Sequence, residues 1–159
     1  MAEGGKGNRR RETIIANCGE GSMGKSAAVK MVYERLMKVA DKEPEELEKN
    51  EKEVFAWMEI NEIKVGISSY GDTRQTVKEH LDELKEKGCQ IIVTACRNNH
   101  EMIKLLKSYA PKYRIIRTSN ARLYEEATNP RVAPKCILDR FNDNWAEEIA
   151  NLIESWCYA

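Results

Sequence analysis

Residues 19–26 read Gly-Glu-Gly-Ser-Met-Gly-Lys-Ser and fit the pattern G-x-x-x-x-G-K-[ST] at every fixed position. The chemistry that such a segment supports is phosphate binding. Gly19, Gly21 and Gly24 let the backbone curl until successive N–H groups, those of Ser22 and Met23 among them, point at phosphate oxygens. A helix starting near Lys25 aims the positive end of its dipole at the same oxygens. Lys25 is placed to neutralise charge between a β- and a γ-phosphate, and the Ser26 hydroxyl is a ligand for magnesium. Glu20 is an unusual neighbour for phosphate: it either turns to solvent or acts on a water or an acceptor. A plain glycine turn before a helix, with Lys25 solvated, would not explain why Gly19, Gly24, Lys25 and Ser26 all fall in register.

The motif needs a strand before it and a helix after it, and the sequence supplies both. Residues 13–17 (TIIAN) form a short apolar, β-prone run. From Lys25 to Val39 the apolar residues Val29, Val32, Leu36 and Val39 share one helical face. Residues 41–53 mix acids and lysines around Pro44 and read as a solvated loop. Residues 54–60 and 63–69 read as a hairpin around Asn61-Glu62. Thr76 with Glu79 has capping-box spacing for a helix carrying Val77, Leu81 and Leu84; Asp72 or Thr73 are the alternative caps. Residues 90–96 (QIIVTAC) are a continuous apolar run, the mark of a central parallel strand. Asn98 or Asn99 caps the next helix, which carries Met102, Ile103, Leu106 and Tyr109 and which Pro111 stops. Residues 113–118 read as a strand, 119–134 as a loop containing a short helix, and 136–138 as a last short strand. Asn142 or Asp143 then caps an amphipathic helix with Trp145, Ile149, Leu152, Ile153 and Trp156. Alternating strands and helices predict an α/β fold: three layers, α/β/α, with a mostly parallel sheet and one antiparallel hairpin strand.

The bulk numbers exclude more than they assign. The 159 residues suit one domain, here residues 12–159, after a basic, Gly-rich arm at residues 1–11 that reads as flexible. Lys plus Arg and Asp plus Glu both total 26, so net charge gives no pull toward nucleic acid or membrane apart from that arm. No apolar run approaches the roughly 18 residues of a membrane span, and the N-terminus lacks the apolar core of a secretory signal. The cytoplasm is the expected compartment. Five cysteines without CxxC spacing argue against a disulfide framework or zinc site and for buried thiols, with Cys157 the one expected to be exposed. His80 and His100 are isolated, and Trp57, Trp145 and Trp156 suit packing.

With its flanking strand and helix, the glycine-rich segment resembles the P-loop NTPase superfamily. That resemblance implies ATP or GTP as ligand and Mg2+ as cofactor. The element order is also similar to that of the small Ras-like GTPases, in which a hairpin follows the first helix and its return strand ends in D-x-x-G. Here that stretch reads Ser68-Ser69-Tyr70-Gly71-Asp72, with Ser68 where the metal-linked aspartate would stand. No threonine lies between the first helix and the hairpin. Residues 94–98 read Thr-Ala-Cys-Arg-Asn rather than N-K-x-D, so the guanine-reading carboxylate has no counterpart and ATP is the expected ligand.

Two further residues are candidates for the chemistry. Asp72 could contact magnesium through water or position the attacking group, or else cap the helix after it. Arg97 follows the central strand at the edge where parallel sheets bind ligands, and could contact phosphate or a second substrate, or else be a surface arginine. Arg114, Arg117, Arg122, Arg131 and Arg140 crowd the second half without a recognisable lid pattern. Three functions follow. The first is a Mg-dependent NTP hydrolase, a small ATPase or switch. The second is a phosphotransferase of the nucleotide- or small-molecule-kinase kind. The third is a non-catalytic nucleotide-binding scaffold, in which the Trp145–Trp156 helix would meet a protein partner, although docking on its own sheet is the more economical placement.

Overall fold

The computed structural model describes residues 12–19, 25–118, 124–125, 131–132 and 135–159, without the side chains of residues 25, 49, 124, 125, 131, 132 and 135. In chain order the elements are β1 (Thr13–Gly19), α1 (Lys25–Met37), β2 (Glu45–Lys49), β3 (Val54–Ile60), β4 (Ile63–Ser68) and α2 (Arg74–Glu86). They continue with β5 (Ile91–Arg97), α3 (His100–Lys107), β6 (Arg114–Thr118), β7 (Tyr124–Glu125), β8 (Arg131–Val132) and α4 (Lys135–Cys157).

Six strands form one sheet in the order β2-β3-β4-β5-β1-β6, and β7 pairs with β8 alone. β4, β5, β1 and β6 are parallel neighbours, whereas β3 runs antiparallel to both β2 and β4. The expected α/β class and mostly parallel sheet are therefore present. β1 lies inside the sheet and is buried from Thr13 to Cys18, because both of its faces are covered. Ile15 faces a core built with Val29, Val32 and Leu36 of α1 and Ile149 and Ile153 of α4. Ile14, Ala16 and Cys18 face the other core, with Val77, Leu81 and Leu84 of α2 and Met102 and Leu106 of α3. The strand's period of two thus distributes one apolar run between two layers.

Several local expectations need correction. Residues 45–49, expected to be loop, are the edge strand β2. A row of charges with only Leu47 apolar does not read as a strand, yet it suits an exposed edge that must not recruit other chains. Residues 136–138, expected to be a strand, are the start of α4, and Asn142 and Asp143 lie inside that helix rather than capping it. Leu152 is exposed rather than inward, and Cys157 is buried while Cys136 is exposed. The cap of α2 is Thr73, whose side chain accepts from the Thr76 N–H; neither Thr76 nor Asp72 serves. Asn99 caps α3 in the same way. At the hairpin tip Asn61 and Glu62 both have positive φ, 48° and 68°, the signature of a two-residue turn that matches strand twist. The exposed Asp41 carboxylate accepts from both of their N–H groups, which holds its pKa below the ordinary value.

Candidate functional site

β1 ends at Gly19 and α1 begins at Lys25, so the glycine-rich segment joins an interior strand to a helix start. Residues 20–24 and the Lys25 side chain lie outside the described residues, as do Arg122 and the side chain of Arg131. Of the loop candidates, Gly19 closes β1 opposite Arg97 of β5, and Ser26 stands in the first turn of α1.

The Ser26 hydroxyl donates to the Ser69 carbonyl at 2.8 Å. This bond is informative. It ties the first turn of α1 to the end of β4, although β5 lies between β4 and β1 in the sheet. It also points the hydroxyl hydrogen at the carbonyl and leaves the Oγ lone pairs available to a cation. A hard oxygen donor of that kind fits magnesium, which takes few protein ligands and keeps waters and phosphate oxygens around it.

Ser69 is itself a junction that motif reading did not single out. It is fully buried. Its hydroxyl donates to the half-buried Glu53 carboxylate at 2.6 Å and accepts from the Val54 N–H at 2.8 Å. Its own N–H donates to the Val54 carbonyl. A carboxylate thus sits one residue away from Ser26, supplied by the last residue before β3. Glu53 lay in the acidic run read as solvated loop, and nothing in its spacing distinguished it from its neighbours.

Ser68 points to the opposite face. Its hydroxyl shares a 2.7 Å hydrogen bond with His80 Nδ1. His80 stacks on Phe55 with ring centroids 3.7 Å apart, meets Tyr70 edge-on, and has Nε2 at 3.9 Å from Glu48. The order Ser-His-Glu has the atom types of a nucleophilic triad, but Ser68 is fully buried and His80 is 6% exposed. No substrate reaches that hydroxyl, and the cluster is packing. Burial lowers the His80 pKa, and Glu48, Glu83 and Glu79 oppose it to a smaller degree. The reading of His80 as structural agrees with this placement.

Asp72 and Arg97 are brought together. Arg97 Nε donates to the Asp72 carbonyl at 3.0 Å, and its guanidinium lies 3.7 Å from the Asp72 carboxylate. Their side chains are 75% and 47% exposed, so this pair contributes little to stability and stays open to solvent. What fixes it is Gly71. A Cβ on Gly71 would lie 2.6 Å from the Ala95 carbonyl carbon and 2.8 Å from the Cys96 nitrogen. Only glycine lets the chain after β4 press against the β5 backbone, which sets Asp72 beside Arg97.

Beside these residues, Cys18, Asn98, Arg117 and Thr118 line a cavity of about 210 Å³ at the C-terminal ends of β1, β5 and β6. That edge of a parallel sheet is where ligands bind in open α/β folds. Thr118 is held by Trp145 of α4, whose Nε1 donates to its hydroxyl at 3.0 Å. Among the described residues no helix is long and apolar enough to cross a membrane. Among them, too, no group of three or more His, Cys, Asp or Glu could hold a metal ion. Comparison with known proteins finds no matching family model, no matching curated protein and no matching solved structure.

Proposed function

We propose that this protein binds ATP with magnesium through residues 19–26 and hydrolyses it, as a P-loop protein acting as a small ATPase or switch. The observation that carries the reading is the complete GEGSMGKS pattern between an interior strand and a helix that starts at its lysine. The Ser26 hydroxyl donates its hydrogen toward the Ser69 carbonyl, which leaves its lone pairs free and supports a role as direct magnesium ligand. In this reading the N–H groups of residues 19–24 cradle the phosphates, and Lys25 bridges the β- and γ-oxygens. Asp72 acts on magnesium or the attacking water, and Arg97 neutralises charge that develops on the transferred group. GTP is the second choice, since residues 94–98 lack the guanine-reading carboxylate.

Calorimetric titration with ATP and GTP, with and without magnesium, tests this, with phosphate release followed in the same samples. Magnesium-dependent ATP binding is expected, weakened about 100-fold or more in Lys25→Ala by the loss of a charge-assisted phosphate contact. Binding without phosphate release would favour the phosphotransferase, to be sought with an acceptor screen, or the scaffold. Binding of neither nucleotide would reduce residues 19–26 to a structural turn.

A further inference from the structure

Cys18 and Cys96 are 78 residues apart in sequence and stand opposite each other in register on β1 and β5. Both side chains enter the core under α2 and α3, and their sulfurs are 2.7 Å apart, with one thiol donating to the other. Adjacent strands are spaced by about 4.8 Å. That spacing falls within the roughly 4.4–6.8 Å between Cα atoms that a disulfide spans. The two sulfurs have only to close from 2.7 Å to the roughly 2.05 Å of an S–S bond.

The two thiols differ in access. Cys96 is fully buried. Cys18 is 4% exposed and lines the 210 Å³ cavity together with Asn98, Arg117 and Thr118. Cys18 is therefore the nearer of the two to solvent and the one a small oxidant meets first. We infer that Cys18 and Cys96 form a redox-modification site, a dithiol that a peroxide converts into an intramolecular disulfide at the base of the glycine-rich loop.

The chemistry balances in two steps. The Cys18 thiolate attacks one peroxide oxygen, the O–O bond breaks, and hydroxide leaves; Cys18 becomes a sulfenic acid. The Cys96 sulfur then attacks the Cys18 sulfur, the S–O bond breaks, and water leaves with the Cys96 proton. Two thiols and one peroxide become one disulfide and two waters, each sulfur having given up one electron. Cys18 suits the attacking role, because the hydrogen bond from Cys96 and the nearby Arg117 guanidinium lower its pKa in spite of burial. Cys89 shows the contrast: it is buried in the same core, and burial pushes its thiol up to about 12.

The test is thiol mapping of the intact folded protein in a Cys136→Ser background, which removes the exposed thiol. The protein is treated with hydrogen peroxide, alkylated in denaturant, digested and sequenced by mass spectrometry. The expected product is a peptide pair joined through Cys18 and Cys96, with Cys89 and Cys157 alkylated as thiols, and dithiothreitol restores the starting material. Fragmentation between Cys89 and Cys96 assigns the partner, since trypsin leaves both in one peptide. In Cys96→Ala, Cys18 should stop at the sulfenic acid and be trapped by dimedone. Retention of both thiols under peroxide, or oxidation of Cys18 with Cys96 still alkylated in the Cys136→Ser protein, would overturn the inference and leave the pair as core packing. That mapping decides the matter even if the Cys96 variant does not fold.

Discussion

Ser68 and Ser69 are adjacent and both fully buried, yet they belong to different halves of the molecule. The alternation at the end of β4 sends Ser68 toward α2, where it meets His80, and Ser69 toward α1, where its carbonyl receives the Ser26 hydroxyl and its own hydroxyl meets Glu53. On the α2 face the Ser68 hydroxyl is taken up by the buried, stacked His80 ring. On the α1 face the polar chain leads from a carboxylate through a serine to the first turn of the helix behind the glycine-rich loop. Two chemically identical side chains at neighbouring positions therefore take different roles, and the difference comes from which layer each enters.

This contrast can be broken by substitution. The largest effect is expected at Leu81, fully buried under the α2 face. Leu81→Ala should lower stability by about 2–5 kcal/mol through lost burial and a residual cavity. Denaturant unfolding would show it, and ATP affinity measured well below the melting temperature should be unchanged. Next come the two serines. Ser68→Ala leaves His80 Nδ1 without this partner, and Ser69→Ala removes the acceptor of the Val54 N–H and the donor to Glu53. Each should cost about 1–3 kcal/mol. Only Ser69→Ala should also weaken magnesium-dependent nucleotide binding, by roughly tenfold. Equal effects of both serines on binding would erase the distinction between the faces.

A smaller effect separates the faces by pH. Burial holds the His80 pKa below its ordinary 6.5, so the unfolded chain takes up a proton more readily than the folded one. Stability from the neutral, stacked imidazole is full above that ordinary value and is lost as pH falls from it toward the depressed folded value. Melting temperature should drop across that window, and His80→Gln should flatten the drop, whereas Glu53→Gln should not. The smallest change is expected at the far hairpin. Glu62 holds φ at 68°, so Glu62→Gly should raise stability by about 0.4–1 kcal/mol, read by denaturant unfolding, without touching nucleotide binding.

Much of the fold was legible because its signals are local. The buried runs at 13–17 and 90–96 and the helical spacing of Val77, Leu81 and Leu84 carry their burial in their own periodicity. β2 was hidden because an edge strand of glutamates has no apolar face to display. The first turns of α4 were misread because Cys136, Ile137 and Leu138 are apolar yet stand at the exposed or half-exposed start of the helix. Of the candidate site, the glycine-rich segment and, one by one, Asp72 and Arg97 were legible as residue types, but not that the two meet. Ser69 and Glu53 were not, since one serine and one glutamate in an acidic run have no distinguishing pattern.

What was readable from the chain alone was the G-x-x-x-x-G-K-[ST] pattern at residues 19–26, the strand and helix on either side of it, and a serine rather than an aspartate at position 68. These follow from side-chain type and short-range spacing. Packing in three dimensions sets the rest: β5 lies between β4 and β1, Ser26 nevertheless reaches Ser69, Gly71 presses Asp72 onto Arg97, and Cys18 meets Cys96. Those contacts join residues from 25 to 78 positions apart. They are set by strand order and register, which the packing of two helical layers selects and no local pattern encodes.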